Sequence, residues 1–220
     1  MEDKEILSHI DHTQLKAFAV WSDIQKLCEE AKRYQTASVC IPPAYIRRVH
    51  EAFPDLNICT VVGFPLGYSV TAAKETEIRE ALKDGANEID MVVNISDVKN
   101  HLFKKVEEEI RILKKACGSH ILKVIIETCY LTEEEKIALC YAVTNAGADF
   151  IKTSTGFGTA GACIEDIRLF KAHIGPQVKI KAAGGVKTRE DLERFLSEGC
   201  ERIGTSSAVG LLQGGEARDY

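Results

Sequence analysis

The chain has 220 residues, of which 45% are hydrophobic and 28% are charged, and its formal net charge is -5. This length and apolar content are enough for one large core, so we expect a single domain over residues 1–220. The charge is modest and the basic residues are scattered, which argues against nucleic acid as a partner.

The N-terminal segment and the apolar runs bear on location. The start, Met1-Glu2-Asp3-Lys4-Glu5, is charged and lacks the basic-then-apolar order of a signal peptide. No apolar run approaches the length of a membrane-spanning helix. We therefore expect a cytoplasmic protein with no membrane partner.

Eight cysteines and six histidines raise the question of disulfides or a metal. The cysteines run from Cys28 to Cys200 with no CxxC pair and lie mostly in apolar periodic segments, which predicts reduced core thiols. The histidines show neither HxH nor HExxH spacing, so we expect no bound metal.

Short β-branched runs alternate with amphipathic helical stretches along the chain. The predicted strands are Ile10–Thr13, Ser38–Ile41, Ile58–Gly63, Glu88–Asn94, Leu122–Thr128, Phe150–Ser154, Lys179–Ala182 and Arg202–Thr205. Eight βα units in one chain indicate a closed parallel barrel. The predicted fold is α/β, a single (β/α)8 TIM barrel, with a loose tail after about residue 213.

Capping residues mark the ends of the intervening helices. Thr132 and Glu135 have the spacing of a capping box. The other signals are Ser22 and Thr188 as N-caps, and Gly85, Gly147 and Gly199 as C-terminal stops.

A weak internal repeat links three of the strands. The segments Gly85-Ala86-Asn87-Glu88-Ile89-Asp90, Gly147-Ala148-Asp149-Phe150-Ile151-Lys152 and Gly199-Cys200-Glu201-Arg202-Ile203-Gly204 share one form. If each glycine ends a helix and each strand starts in the same register, then Asp90, Lys152 and Gly204 lie at comparable heights on one face. Ordinary βα spacing explains the glycines equally well, but it does not explain charges at the fifth position.

Lys152 is the strongest candidate for chemistry. It lies in an apolar strand that runs into the hydroxyl- and glycine-rich turn Thr153-Ser154-Thr155-Gly156. A lysine in a packed interior loses hydration, which disfavours the ammonium form and makes the amine available as a nucleophile. Carbonyl chemistry is the expected use of such an amine.

Two further charged residues are expected near Lys152. Barrel active sites form at the carboxyl ends of the strands, where Asp90 and Lys181 also lie. Strands six and seven are neighbours about 4.8 Å apart, so Lys181 adds a second cation that disfavours an ammonium group at Lys152. We expect Asp90 to keep Lys181 protonated and to relay a proton. The alternative is a buried ion pair that only fills the barrel.

Two more lysines must be weighed. Lys179 shares a strand face with Lys181 and is a rival nucleophile, although its place further from the mouth favours a supporting role. Lys123 is expected to pair with acidic side chains inside the barrel.

Four residues carry weaker signals. Asp11 and Thr13 alternate onto one face, so they either bond substrate hydroxyls or brace the barrel. Cys40 lies near a strand end without an evident histidine partner, which is typical of packing. Tyr220 either folds over the mouth as a proton shuttle or frays.

A phosphate site is predicted at the ends of the last two strands. Glycine amides, hydroxyls and the start of a short helix form an anion cradle there, at the place where many barrels hold phosphate. The residues of the cradle are Gly184, Gly185, Gly204, Ser206 and Ser207, with Thr155 and Gly156 completing it. A lone Gly-Gly pair would indicate only a tight turn.

On these residues, the chain resembles the deoxyribose-phosphate aldolases, which are class I aldolases that work through a Schiff base. The resemblance extends from Ile10-Asp11-His12-Thr13 to Gly204-Thr205-Ser206-Ser207. Its motifs are Glu88-Ile89-Asp90, Leu122-Lys123-Val124-Ile125-Ile126-Glu127-Thr128, Phe150-Ile151-Lys152-Thr153-Ser154-Thr155-Gly156-Phe157 and Lys181-Ala182-Ala183-Gly184-Gly185-Val186. Some members carry a lysine where this chain has Phe157, so we expect no side-chain cation on phosphate from that position.

The resemblance implies reversible cleavage of 2-deoxy-D-ribose 5-phosphate to D-glyceraldehyde 3-phosphate and acetaldehyde, in deoxyribose phosphate catabolism. It implies Lys152 as the Schiff-base lysine and Lys181 with Asp90 as the proton-transfer pair. It also implies no metal or organic cofactor, because the imine is the electron sink, and a homodimer is expected of such barrels.

Two other interpretations stay open. A flavin-mononucleotide-binding oxidoreductase could use the same glycine cradle, and its purified protein would be yellow. A phosphosugar-binding barrel without turnover would use the buried lysines for charge balance only.

Overall fold

The strands pair in sequence order, from the first to the eighth, and the eighth pairs with the first. This closed parallel barrel is seen in a computed structural model that describes residues 1–215. Each strand is followed by helix on the outside of the barrel, so the predicted (β/α)8 TIM barrel is confirmed. Tyr220 and the tail from residue 216 lie outside the described residues.

Within residues 1–215 the barrel has eight strands. They are β1 (Ile10–Thr13), β2 (Ser38–Ile41), β3 (Ile58–Val62), β4 (Glu88–Val92), β5 (Ile121–Ile125), β6 (Phe150–Lys152), β7 (Lys179–Ala183) and β8 (Arg202–Thr205). Strands β1, β2 and β8 have the predicted bounds.

The helices of the described residues form the outer layer. They are α1 (Asp3–Leu7), α2 (Trp21–Tyr34), α3 (Ile46–Ala52), α4 (Thr71–Lys83), α5 (Ile95–Lys99), α6 (Phe103–Cys117), α7 (Glu133–Ala146), α8 (Ile164–His173), α9 (Arg189–Glu198) and α10 (Ala208–Leu212), with single 3₁₀ turns at Pro43–Tyr45 and Thr128–Tyr130. Among residues 1–215, none of these helices is both long and apolar enough to cross a membrane.

Four strands end earlier than predicted because the chain turns sharply at the barrel mouth. Gly63 after β3 and Glu127 after β5 have positive φ angles of 60° and 53°, which strand backbone does not adopt. After β4, the side chain of Asn94 accepts the Ser96 amide at 3.1 Å and caps α5. Mouth residues therefore leave the sheet and become free to line a site.

Most predicted helix ends are confirmed. Thr132 and Thr188 cap α7 and α9, each in a capping box. Gly147 and Gly199 are the left-handed C-caps of the same two helices, and Gly85 follows the end of α4 with φ 109°.

The predicted N-cap at Ser22 is wrong. Helix α2 begins at Trp21, because the carboxylate of Asp23 reaches back and accepts the Val20 amide at 3.0 Å. Ser22 therefore lies inside the first turn.

All eight cysteines lie within residues 1–215 and are free thiols, six of them buried. The expected core location is confirmed for these six, whereas Cys129 and Cys163 are half-buried.

The register of the barrel sorts its inward residues into layers. A path that starts at Asp11 and passes from each residue to its partner on the next strand comes back to the chain of β1 after eight strands. It arrives eight residues nearer the N terminus than Asp11. This offset is the stagger that lets eight tilted strands close. Residues at one height therefore shift by about one position per strand, and each layer takes four side chains from alternate strands.

Four such layers follow from the register. From the bottom to the mouth they are Ser38, Glu88, Phe150 and Arg202; then Asp11, Cys59, Lys123 and Lys181; then Cys40, Asp90, Lys152 and Gly204; then Thr13, Val61, Ile125 and Ala183. The third layer holds Asp90, Lys152 and Gly204 together. The equal height predicted from the internal repeat is confirmed by this register.

The outward residues of the strands form the main hydrophobic core. Side chains such as Ile89, Val124 and Ile151 are fully buried between the sheet and the helices. Each contributes about 1.5–3 kcal/mol by leaving water. The helices thus stabilise the barrel from outside, and its interior is available for polar side chains.

Gly204 makes room for Lys181 in the barrel interior. A Cβ at this position would lie 3.1 Å from Cε of Lys181 and 3.4 Å from Cβ of Ala183. We expect Gly204→Val to lower the free energy of unfolding by about 1–3 kcal/mol through overpacking, as measured by urea denaturation. The matched control is Gly210→Ala in α10, where an added Cβ meets nothing within 4 Å. Equal stability of the two variants would contradict the packing.

Candidate active site

Asp90 is the central acceptor of the barrel interior. Its Oδ2 accepts the amines of Lys152 and Lys181, each at 2.7 Å. Its Oδ1 accepts Lys123 at 2.9 Å and the thiol of Cys59 at 3.1 Å. The layers predicted from the register are therefore joined through one buried carboxylate.

Asp11 forms a second centre in the layer below. It lies 2.5 Å from the amine of Lys181, and it accepts the Ser38 hydroxyl at 2.7 Å and the Arg202 guanidinium at 2.6 Å. Arg202 also donates to both oxygens of Glu88 at 3.0 Å. These contacts extend the charge network to the bottom of the barrel.

We call this network the interior cluster. Within residues 1–215 it consists of Asp11, Glu88, Asp90, Lys123, Lys152, Lys181 and Arg202. Burial in a low-dielectric interior makes each charge costly unless an opposite charge lies beside it. The cluster supplies those partners.

The pKa values of the cluster follow from this pairing. Burial alone would raise the pKa of Asp90, but Lys123, Lys152 and Lys181 outweigh it and hold that pKa well below its ordinary value. Burial alone would lower the pKa of Lys181, but Asp11 and Asp90 outweigh it and raise that pKa. Lys181 is therefore an ammonium group at neutral pH, as the sequence predicts, and can donate a proton.

The three lysines of the interior cluster differ in their surroundings. Among the described residues, Lys152 forms an ion pair with Asp90, whereas Lys181 pairs with both Asp11 and Asp90. Lys123 pairs with Glu88 at 2.5 Å as well as with Asp90, which confirms its expected pairing with acidic side chains. Lys152 also lies in the layer nearer the mouth. It is the lysine of this group that is least neutralised and best placed to meet a substrate.

The rival Lys179 does not enter the barrel. It is exposed at the start of β7, and its amine lies 5.9 Å from the centre of the Phe150 ring. Its place two residues before Lys181 puts it below the layered region.

Asp11 and Thr13 brace the barrel rather than point freely into the mouth. Asp11 is fully buried in the contacts given above, and the hydroxyl of Thr13 donates to the Asp11 carbonyl at 2.7 Å. Cys40 is also fully buried, in a small apolar group with Leu15 and Val61, so packing describes it well.

Part of the predicted phosphate cradle comes together. Gly156, Gly184 and Gly185 all have positive φ angles, and a Cβ on Gly184 would lie 3.7 Å from Cα of Gly156. Gly161 approaches so closely that a Cβ there would lie 2.5 Å from the Gly185 nitrogen. Only glycines permit this close approach of the loops that follow β6 and β7.

The other cradle residues lie in different surroundings. Gly204 is within β8 and packs against Lys181. Ser206 lines a cavity of about 180 Å³ beside His12 and Lys26, and Ser207 precedes α10. Thr155 is buried, and its hydroxyl and amide are bonded to Glu127.

Sequence reasoning gave no role to four polar residues that the structure places in or beside the cluster. They are Ser38, Cys59, Glu88 and Arg202. A signal was present for two of them, because Glu88 lies two residues before Asp90 and Arg202 two residues before Gly204, each on the same strand face. Ser38 and Cys59 are common in buried strands and give no such signal.

Two groups in the described barrel, Cys40 with Cys59 and Asp90, and Asp11 with Cys59 and Glu88, have atoms of the kinds that bind metals. The first of them has two thiols. The sulfurs of Cys40 and Cys59 and an oxygen of Asp90 lie within 4.8 Å of one another. The Asp90 oxygens already accept lysine amines, and these cations oppose a metal ion. We assign no metal role to this group.

A buried lysine amine beside a carboxylate near the mouth of a parallel barrel fits a lyase that acts on a carbonyl carbon. The sequence model of the DeoC/LacD aldolase family matches residues 6–217. The chain is 67% identical to the deoxyribose-phosphate aldolase of Clostridium botulinum (strain Alaska E43 / Type E3) over 100% of both chains. It is 55% identical to that of Clostridioides difficile (strain 630), over 99% of this chain and 100% of the relative. The tetrameric deoxyribose phosphate aldolase from Aeropyrum pernix is 29% identical with a TM-score of 0.87, over 97% and 92% of the two chains. The chain therefore belongs to the DeoC/LacD family of aldolases, which are aldehyde-lyases.

Acid is expected to destabilise the protein through the carboxylates of the interior cluster. The pKa values of these carboxylates are lowered in the folded state. They therefore stabilise the folded state fully when the pH is above their pKa values in the unfolded chain, which are about 4. This stabilisation is lost as the pH falls from there towards the lowered values. We expect the urea midpoint to fall steeply below about pH 4.

Asp11→Asn tests the source of this dependence. We expect it to cost about 3–5 kcal/mol near neutral pH, because Lys181 and Arg202 lose a buried partner, and to make the acid dependence shallower. Glu75→Gln, which removes an exposed pair with Arg79, is the control and changes stability by less than about 1 kcal/mol. Parallel pH curves for Asp11→Asn and the unmodified protein would contradict this account.

Proposed function

We propose that this chain catalyses the reversible cleavage of 2-deoxy-D-ribose 5-phosphate to D-glyceraldehyde 3-phosphate and acetaldehyde through a Schiff base on Lys152. The observation that carries the proposal is one carboxylate oxygen, Oδ2 of Asp90, shared by the amines of Lys152 and Lys181 at 2.7 Å. This contact puts a nucleophile and a proton donor side by side. The relatives named above are deoxyribose-phosphate aldolases, which supports the same substrate for this chain.

Within the described chain, the interior cluster has no carboxylate in excess for a charge on Lys152. Among the described residues, its three carboxylates are matched by the cations Lys123, Lys181 and Arg202. An ammonium group at Lys152 adds an unmatched buried charge, whereas an amine leaves the cluster neutral. An amine has the lone pair that attack on a carbonyl carbon requires.

In the synthetic direction, the Lys152 nitrogen attacks the carbonyl carbon of acetaldehyde. The carbonyl oxygen takes up a proton, and the resulting carbinolamine loses water to form an iminium ion. Lys181 donates this proton. The proton that the Lys152 nitrogen loses as the carbinolamine forms passes through Asp90, which contacts both amines, and restores the ammonium group of Lys181. A proton then leaves the methyl carbon through Asp90, Lys181 and water, and the enamine forms.

The enamine carbon attacks the aldehyde carbon of D-glyceraldehyde 3-phosphate, and the new alkoxide takes up a proton. Water then hydrolyses the iminium ion and releases Lys152. We assign phosphate binding to the amides near Gly156, Gly184 and Gly185, where two loops approach closely. Binding energy from the phosphate is converted into orientation of the acceptor aldehyde.

We also propose that residues 1–220 act as one domain, in the cytoplasm and as a homo-oligomer. A single barrel with one continuous outer core supports the first point, and free cysteines fit a reducing compartment. The relative from Aeropyrum pernix is a tetramer, which supports an assembly of more than one chain. Light scattering after size exclusion gives the number of chains.

Borohydride reduction in the presence of acetaldehyde tests the nucleophile. We expect a stable ethyl adduct on one peptide, with the modified residue mapped to Lys152 by mass spectrometry. Lys152→Ala is expected to abolish both the adduct and turnover, because the imine cannot form. An active protein that yields no adduct, or an adduct at Lys181, would remove the proposed mechanism. An adduct at Lys152 together with turnover also distinguishes an aldolase from a binding barrel without turnover.

Asp90→Asn tests the shared carboxylate. We expect kcat to fall by about 10²–10⁴, because an amide oxygen is a weaker acceptor and cannot relay a proton between the two lysines. Asp84→Asn, which removes an exposed pair with Arg47, is the control and is expected to retain the rate. Circular dichroism of both variants checks folding, and a folded Asp90→Asn enzyme with normal kcat would reject the relay.

A further inference from the structure

Glu127 is a buried carboxyl group at the barrel mouth to which the proposed reaction assigns no role. It follows β5 with φ 53° and ψ 67°, a left-handed conformation that is uncommon outside glycine. The amides on either side hold it, since Ile126 donates to the carbonyl of Lys152 at 3.1 Å and Thr128 to that of Thr153 at 3.0 Å. A backbone held in a sparsely populated region beside a site is typical of a functional constraint.

The carboxyl group of Glu127 is bonded to one residue of the next loop. Its Oε1 accepts the amide of Thr155 at 3.1 Å, and its Oε2 accepts the Thr155 hydroxyl at 2.5 Å. The same hydroxyl accepts the amide of Phe157 at 3.0 Å. A hydroxyl can donate one hydrogen bond, and the hydroxyl of Thr155 donates its bond to Glu127. It therefore has no second hydrogen bond to donate to a phosphate oxygen. Thr155 therefore forms a bridge between Glu127 and the loop that carries Gly156.

This bridge fixes the loop that carries Gly156. Gly156 lies between Thr155 and Phe157, has φ 89°, and approaches the glycine turn after β7 at Gly184. On the far side of the loop, a Cβ on Gly158 would lie 3.1 Å from Cδ of Glu127. The segment is thus bonded to Glu127 at residue 155 and lies close to it at residue 158.

We propose that Glu127 is a positioning residue that makes the enzyme select phosphorylated acceptor aldehydes. It acts through Thr155, by holding the Gly156 amide and the glycine turn in the shape that receives a phosphate group. This inference rests on the proposed function, because it concerns the acceptor of that reaction.

The donor half of the reaction provides an internal reference. Lys152 is held by Asp90 and by its place in β6, and neither contact involves the carboxyl group of Glu127. The charge of Lys152 also affects the pKa of Glu127, but less than burial and the two bonds to Thr155 do. Imine formation with acetaldehyde is therefore expected to depend little on the bridge. Capture of the phosphorylated acceptor is expected to depend on it.

The test compares two acceptors in Glu127→Gln, whose side-chain amide can accept one of the two Thr155 bonds but not both. With saturating acetaldehyde, we expect kcat/KM for D-glyceraldehyde 3-phosphate to fall at least about tenfold and kcat/KM for D-glyceraldehyde to fall less than about threefold. The rate of borohydride trapping at Lys152 by acetaldehyde is expected to stay within about twofold.

Three further variants sharpen the result. Thr155→Val removes the other half of the bridge and is expected to shift the acceptor ratio in the same direction. The double variant is expected to be no worse than Glu127→Gln alone, because both changes break one interaction. Glu109→Gln removes a buried carboxylate that pairs with Lys74 in the helix layer, and it is expected to leave the acceptor ratio unchanged.

Equal losses for both acceptors, or loss of trapping in Glu127→Gln, would overturn the proposal, since either result indicates a general structural role. If Glu127→Gln does not fold, the acceptor ratio of Thr155→Val decides the question in the same way. Absence of trapping in the unmodified enzyme is a different outcome, because it rejects the proposed function and this inference with it.

Discussion

The barrel interior depends on one buried carboxylate that is shared by several donors. Asp90 accepts three lysine amines and a thiol, and it is the contact that joins the layer of Lys152 to the layer of Lys181. Removing a single ion from water costs several kcal/mol even after relaxation, so none of these charges is stable in the barrel without the others. Mutual dependence of this kind holds each group to one geometry, which is what a proton relay requires.

The residues that stabilise the fold and the residues proposed to act in the reaction lie on opposite faces of the same strands. Because side chains alternate along a strand, Ile89 packs outward against the helices while Glu88 and Asp90 point into the barrel. The outward face supplies hydrophobic burial, and the inward face uses part of that stability to hold charges away from water. In that dry setting each charge acts more strongly on its neighbour than it could at the surface.

The sequence predicts the barrel well because its signals are local. Alternating strand and helix patterns, capping boxes and helix-ending glycines each follow from a few adjacent residues, and the repeat at Asp90, Lys152 and Gly204 reflects the regular stagger of the closed sheet. Contacts across the interior are not local. That Cys59 donates to Asp90 follows only from closure, which brings together strands far apart in sequence.

The mouth was harder to predict than the strands. Left-handed backbone is signalled by glycine but not by glutamate, so Glu127 resembles a strand residue in the sequence although it ends the strand. Thr155 is expected in the phosphate cradle because it follows Lys152 at the mouth. The structure bonds its hydroxyl to a carboxylate from the preceding βα unit, which no spacing rule relates to it.

The charges of the interior cluster are distributed unequally between the first four strands and the last four. The carboxylates of the interior cluster, Asp11, Glu88 and Asp90, all come from β1 to β4, whereas its basic residues, Lys123, Lys152, Lys181 and Arg202, all come from β5 to β8. The two half-barrels are therefore electrostatic complements, and neither can bury its inner face alone without unmatched charge of one sign. A fragment cut between β4 and β5 would need its counterpart to close, so the two halves of this enzyme are complementary parts and not interchangeable copies of one unit.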